Sequence, residues 1–164
     1  MSVRVEPYGL EHAPAFQVLA SDARIAATTL VPHPYPPGAA LAFARDAERA
    51  RQRCEAFSFA VLDAAAVVGS CGIKHLDWDA GQGEIGYWIG VPYWGRGYAS
   101  AAVRLVTAFG VGGLGLRRVV AEVVEGNDAS ARVLDKAGYR HERTFPNPND
   151  RHAGRPTALF VFRP

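Results

Sequence analysis

Residues Glu84 to Arg104 read E-I-G-Y-W-I-G-V-P-Y-W-G-R-G-Y-A-S-A-A-V-R, and the change of period inside them decides the fold. Ile85, Tyr87, Ile89 and Val91 alternate with Gly86, Trp88 and Gly90, which is the period of a half-buried strand. Pro92 has no N–H to donate and stops the ladder. From Ala99 the period becomes helical: Ala102, Val103, Val106, Phe109 and Gly110 recur three and four apart, while Ser100, Arg104 and Thr107 take the other face. Between strand and helix stands Trp94-Gly95-Arg96-Gly97-Tyr98-Ala99. The first-turn N–H groups of such a helix lack intrahelical partners, and side chains this small let an anion reach them. An anion site follows, and a pyrophosphate is the ligand it suits best.

Working outward, Val3 to Glu6 forms a short strand ended by Pro7, and a helix is expected from about Glu11 to Ala23. Pro32, Pro34, Pro36 and Pro37 forbid a helix across Thr28 to Gly38 and leave a stiff loop carrying His33 and Tyr35. That loop is either a plain connection or one wall of a substrate mouth. Ala39 to Arg53 is helical by propensity, with a shallow apolar face that suits a surface position. Phe57, Phe59 and Val61 alternate, Asp63-Ala64-Ala65 turns, and Val67 to Ile73 returns as a hairpin leading into the strand at Glu84. Arg117 to Val124 reads as a further strand with Val120, Glu122 and Val124 on one side. Asn127 caps a short helix over 128–137 that Gly138 ends. Strands at Tyr139 to Phe145 and Thr157 to Phe162 close the chain, joined by a loop, Pro146 to Pro156, expected at the surface.

The 164 residues are 49% apolar and 21% charged, which suits one domain over 1–164 with its own core. Eighteen basic and 16 acidic residues are interspersed, and the Arg45, Arg49, Arg51, Arg53 cluster shares its helix with Glu48, so no nucleic-acid footprint is formed. Cys54 and Cys71 have no metal-ligand spacing, and a reduced, cytoplasmic setting is the simplest expectation. No apolar run is long enough to suggest a signal peptide or a membrane span. Gly95 and Gly97 begin a G-x-G, but Ser100 stands where a dinucleotide fingerprint needs its third glycine, and no triphosphate-binding loop occurs.

Taken together, Glu84-Ile85-Gly86-Tyr87-Trp88, Trp94 to Ala99, Asn127-Asp128-Ala129-Ser130 and Lys136-Ala137-Gly138-Tyr139 resemble the acetyl-CoA-binding core of the GCN5-related N-acetyltransferases (GNAT), in particular the RimJ/RimL-like type that acetylates ribosomal-protein N-termini. The resemblance implies an α+β GNAT fold: a mostly antiparallel sheet of about seven strands, splayed between strands 4 and 5, with about four helices. It implies acetyl-CoA as co-substrate, no metal, and a primary amine acceptor, either a peptide N-terminus or a small molecule, on a monomer or homodimer. A non-catalytic acetyl-CoA sensor or scaffold is the alternative.

By the same resemblance, Trp94, Gly95, Arg96, Gly97, Tyr98 and Ala99 take the pyrophosphate, with Trp94 where other members carry Gln or Arg. Ile89, Gly90 and Val91 offer open backbone groups to the pantetheine, with a β-bulge expected near Gly90. Asn127 serves as helix cap, as pantetheine ligand, or as both, and Ser130 faces the sulfur. The tyrosine acid of many members is missing, since Val133-Leu134-Asp135 occupies its place, and Tyr139 reads as a core aromatic. Glu84 is the expected base, with Glu122 as the other choice. His33, Tyr35 and Trp88 are expected near the acceptor mouth.

Overall fold

Two amphipathic patterns, one strand-like and one helical, must each bury a face, and a sheet with helices on both sides does this here. The computed structural model describes residues 1–164, the side chain of Asp150 excepted. Its elements in chain order are β1 (Val3–Pro7), α1 (Ala13–Ala20), α2 (Ala23–Ala26), α3 (Ala39–Gln52), β2 (Phe57–Asp63), β3 (Ala66–Asp77), β4 (Gln82–Ile89), α4 (Tyr98–Ala108), β5 (Arg118–Val124), α5 (Asp128–Lys136), β6 (Arg140–Pro146) and β7 (Pro156–Phe162). The strands form one seven-stranded sheet in the order β1-β2-β3-β4-β5-β7-β6. This is the expected α+β architecture.

All neighbouring strands are antiparallel except β4 and β5, which α4 joins by a crossover and which therefore run parallel. That pair meets only at Gln82, Gly83 and Glu84 against Arg118, Val119 and Val120. Beyond Glu84 the strands part, and β4 continues alone on that side to Ile89. The open wedge lies between strands 4 and 5, where the resemblance put it.

One sheet face carries Phe59, Val61, Cys71, Ile73, Ile85, Val119, Ala121 and Phe160 and is covered by α4 through Ala102, Val103 and Val106 and by α5 through Leu134. The other face is covered over β1 to β3 by α1 and α3, where Tyr8, Phe16, Ala40, Ala44, Ala47, Ala60 and Leu62 pack with Trp88. The three alanines let α3 lie close to the sheet, and Leu41, read as part of its apolar face, is 40% exposed.

Four local expectations are corrected. The first helix is broken: a 3-10 turn at Leu10–His12 precedes α1, and Asp22 accepts the Arg24 N–H at 2.9 Å to cap a separate one-turn α2. Thr107, assigned to the outer face of α4, is buried, with its Oγ1 at 2.6 Å from Tyr139 OH. No bulge occurs at Gly90. The β3–β4 register is continuous from Gly69–Ile89 to Lys74–Glu84 and breaks between Lys74 and Asp77, where His75 takes a left-handed φ of 49°. Gly90 lies close under Leu19 of α1 instead, where a Cβ would stand 2.7 Å from Leu19 Cδ2 and the leucine tip would have to shift. Lastly, the loop after β6 is not all surface: Asn147 and His152 are buried in it.

Candidate active site

The wedge is built by ladder parity. Gly90 N–H donates to Val68 O at 2.8 Å, so within the same continuous register Trp88, Gly86 and Glu84 also point their backbone groups toward β3. Tyr87 and Ile89 then direct theirs toward the side where β5 is absent. The Ile89 carbonyl accepts the indole N–H of Trp94 at 2.6 Å, which leaves the Ile89 N–H, with the backbone groups of Tyr87, on the open side. Less backbone is therefore open than expected. The Gly90 N–H is spent on Val68, and the carbonyls of Gly90 and Val91 accept from Tyr93 and Trp94 N–H.

Next to the wedge the turn into α4 has Gly95 at φ 74° and Gly97 at φ 85°, conformations that L side chains avoid. Gly97 is the N-cap, its carbonyl accepting from Ala101 N–H at 3.1 Å, so the N–H groups of Tyr98, Ala99 and Ser100 are left without helical partners. Nothing lies within 4 Å of a Cβ built at Gly95. Arg96 is exposed, with its guanidinium 6.0 Å from the Tyr93 ring centre. Tyr98 differs from expectation: its ring is in the core and its hydroxyl donates to Asp63 Oδ2 at 2.5 Å, so only its backbone N–H faces the turn. That phenol, then the Ser2 N–H, hold the Asp63 carboxyl below its ordinary range.

Across the wedge, Asn127 caps α5 by accepting the Ser130 N–H at 3.2 Å. Ser130 Oγ lies 2.5 Å from the hydroxyl of Tyr87, which reaches over from β4 and also stands 3.3 Å from the Ser130 carbonyl oxygen. Burial pushes the Tyr87 phenol well above the usual tyrosine range, outweighing the Ser130 hydrogen bond. The sequence places Tyr87 on the strand and inside the resembling stretch Glu84 to Trp88, with no site role of its own. Its signal was indirect, an aromatic with a polar tip on a strand that outruns its neighbour. Tyr139 is fully buried against Thr107, as its core reading required.

On the opposite sheet face, Glu84 is doubly engaged, with His75 Nδ1 at 2.6 Å from Oε2 and Lys74 Nζ at 3.8 Å from Oε1. Two consecutive residues reach one carboxylate because the register break turns His75 onto the face of Lys74. Glu122 makes no ion pair or side-chain hydrogen bond among the described residues. Although the residue is solvent-exposed overall, the sheet crowding its carboxylate raises its proton affinity, and the negative charge of Glu84 adds to this. Lys74, His75 and Arg143 oppose the rise only in part.

Trp88 packs edge-on against Phe16 at 4.7 Å, and Tyr35 lies 6.4 Å from the same ring, so these two expected acceptor residues are brought together. His33 is exposed on the proline loop beside them. That loop and the one after β6 are tied to each other: Arg151 Nη1 donates to Ala26 O at 3.2 Å and to Val31 O, and His152 Nε2 lies 3.3 Å from Thr29 O.

The family description Acetyltransferase (GNAT) domain matches residues 2–140, from β1 through α5 and into the first residue of β6. The chain belongs to this family. Among relatives of this GNAT chain is the uncharacterized N-acetyltransferase p20 of Bacillus licheniformis, 36% identical over 86 residues, which are 52% of this chain and 48% of that protein. The chain thus aligns with about half the length of that relative. The ribosomal-protein-S5-alanine acetyltransferase of Vibrio fischeri shares the fold with a TM-score of 0.87 at 18% identity, over 99% of this chain and 93% of that one. The microcin C7 self-immunity acetyltransferase MccE, solved with acetyl-CoA and AMP, has a TM-score of 0.88 at 14% identity, over 99% and 92% of the two chains. In this GNAT domain no group of three or more His, Cys, Asp or Glu that could hold a metal occurs among the described residues. Among the described residues no helix is long and apolar enough to cross a membrane.

Proposed function

We propose that the chain transfers acetyl from acetyl-CoA to a primary amine by direct attack in a ternary complex. The observation that carries this reading is the wedge itself. A free strand N–H at Ile89, an orphaned helix start behind two left-handed glycines, and a hydroxyl pair from β4 and α5 border one opening, with Glu122 on β5. An acyl thioester is already activated, so the protein has only to orient it, polarise its carbonyl, take a proton from the amine and stabilise the departing sulfur.

In this reading the N–H groups around Gly95, Gly97 and Ala99 hold the pyrophosphate, with Arg96 as a charge-assisted partner. The Ile89 N–H polarises the carbonyl, and Ser130 donates a hydrogen bond to sulfur. Glu122 replaces Glu84 as the base. Glu84 already carries a hydrogen bond from His75 and an ion pair with Lys74, whereas Glu122 is unpaired among the described residues and has a raised proton affinity. The acceptor is a peptide N-terminus, as in RimJ/RimL-like enzymes, or a small amine. Incubation with acetyl-CoA and a panel of N-terminal peptides, lysine peptides, polyamines and amino acids, followed by thiol release, is expected to show acceptor-dependent turnover. Tight acetyl-CoA binding with no acceptor-dependent thiol would make the protein a sensor instead.

The tied loops give a further expectation. Arg151→Ala removes the hydrogen bonds that pin residues 26–31, and should raise the acceptor KM by about tenfold, the order expected for hydrogen bonds from a charged group, with the acetyl-CoA KM nearly unchanged. Equal effects on both constants would move the acceptor mouth away from these loops. His33→Ala and Tyr35→Ala should follow the same pattern more weakly, whereas Trp88→Ala also opens the packing against Phe16 and should lower stability.

A further inference from the structure

We infer that Tyr87 is a positioning residue for acetyl transfer: its phenol donates to Ser130 Oγ and so leaves the Ser130 O–H aimed into the wedge, at the sulfur that departs. The inference rests on the acetyl-transfer reading above and adds a residue which that reading does not use.

The two hydroxyl oxygens are 2.5 Å apart, so one of them donates along the line between them. Were Ser130 the donor, its only proton would be spent on Tyr87, and the phenol proton would have only the Ser130 carbonyl at 3.3 Å. With Tyr87 as donor the short contact takes the phenol proton, and the serine proton stays free. The rest of Ser130 is already fixed. Its N–H is held by the Asn127 side chain at 3.2 Å and by the Asn127 carbonyl at 3.1 Å, so the hydroxyl rotor is its remaining freedom. Tyr87 takes up that freedom from across the wedge, and a hydroxyl that accepts one hydrogen bond donates a stronger one.

Tyr87 is not itself the acid. In a site this enclosed the phenolate is disfavoured, so the phenol remains a donor through the neutral and alkaline range. The transfer balances without it: the amine nitrogen forms the N–C bond, the C–S bond breaks with its electron pair on sulfur, the amine proton leaves through Glu122 to water, and the thiolate takes a proton from water on release. What the Tyr87–Ser130 pair supplies is a hydrogen bond to that thiolate while it is charged.

Two readouts test this. The thiol of bound CoA, titrated by its ultraviolet thiolate absorbance, should ionise at lower pH on the wild type than on Tyr87→Phe, by about one pH unit, the size of one hydrogen bond to the charged form. Ser130→Ala should show the same rise and the double variant no more. In turnover, Tyr87→Phe should lower kcat about tenfold with the acetyl-CoA KM unchanged, lose that effect in the Ser130→Ala background, and regain nothing from added amine. Ser130→Thr, which keeps a hydroxyl, should recover most of the activity. Additive losses in the double variant, or an unmoved thiol titration beside a lowered Tm, would overturn the inference and leave acetyl transfer standing. A wild type that neither binds CoA nor releases thiol would overturn both.

Discussion

Gly97→Glu is expected to abolish acetyl-CoA binding in a protein that still folds. The helix start is held by the Tyr98 hydroxyl on Asp63, and the nearest neighbour of a Cβ at position 97 is Met1 Cε at 3.8 Å, so no clash drives unfolding. The backbone φ of 85° strains any L residue there, at a cost of about 1–2 kcal/mol. The new carboxylate stands at the positive end of α4, where it satisfies the N–H groups of the first turn and repels a phosphate that would use them. Strain and charge can be separated. Gly97→Ala carries the strain alone and should bind several-fold more weakly, whereas Gly97→Glu should lose at least about 100-fold, or ~2.8 kcal/mol. Calorimetry on the folded variants decides it, and unchanged affinity in Gly97→Glu would remove the turn from the donor site.

Much of this arrangement is readable in the chain because it is local. The strand period of Ile85 to Ile89, the glycines at 95 and 97, the cap at Asn127 and the stop at Gly138 depend only on near neighbours, and each stands where its pattern puts it. The wedge follows from connectivity, since a helix between two strands makes them parallel while both take antiparallel partners on their outer sides. What the sequence conceals is long-range. Tyr87 and Ser130 are 43 residues apart and meet only because α5 packs under a strand that has left its neighbour. Arg151 and its acceptors are more than a hundred residues apart, and nothing in a proline-rich loop says which other loop will hold it.

The register break at His75 is the most instructive of these. Alternation alone sends Lys74 and His75 to opposite faces, and on that count Glu84 has a single cation opposite it and an open oxygen. A residue at positive φ within β3 brings both to the same carboxylate. In the proposed reading the base is then Glu122 on the neighbouring strand rather than Glu84, by a change that hydrophobic patterning does not register.

That exchange is open to a direct measurement. Glu122→Gln should lower kcat by about 100-fold, the usual scale for a general base, and Glu84→Gln by only a few-fold. The pH profiles should separate them further. Glu122 acts as the carboxylate, so kcat rises with pH as it ionises, and because crowding by the sheet and then the charge of Glu84 raise its proton affinity, this acid limb lies above the ordinary glutamate value of 4.5. Removing the negative charge of Glu84 lowers that affinity, and it also frees Lys74 and His75 to favour the ionised form. The limb in Glu84→Gln should therefore move to lower pH, while in Glu122→Gln it should vanish. The acceptor sets how far the defect persists. An α-amine of pKa about 7.8 is roughly one part in seven neutral at pH 7, and a lysine-type amine near 10.4 about one part in 2,500. With an α-amine the Glu122→Gln defect should fade above about pH 8 as free amine accumulates, and with a lysine-type amine it should persist. A 100-fold loss in Glu84→Gln beside an unchanged Glu122→Gln profile would return the base to Glu84, with His75 and Lys74 as the groups that hold it in place.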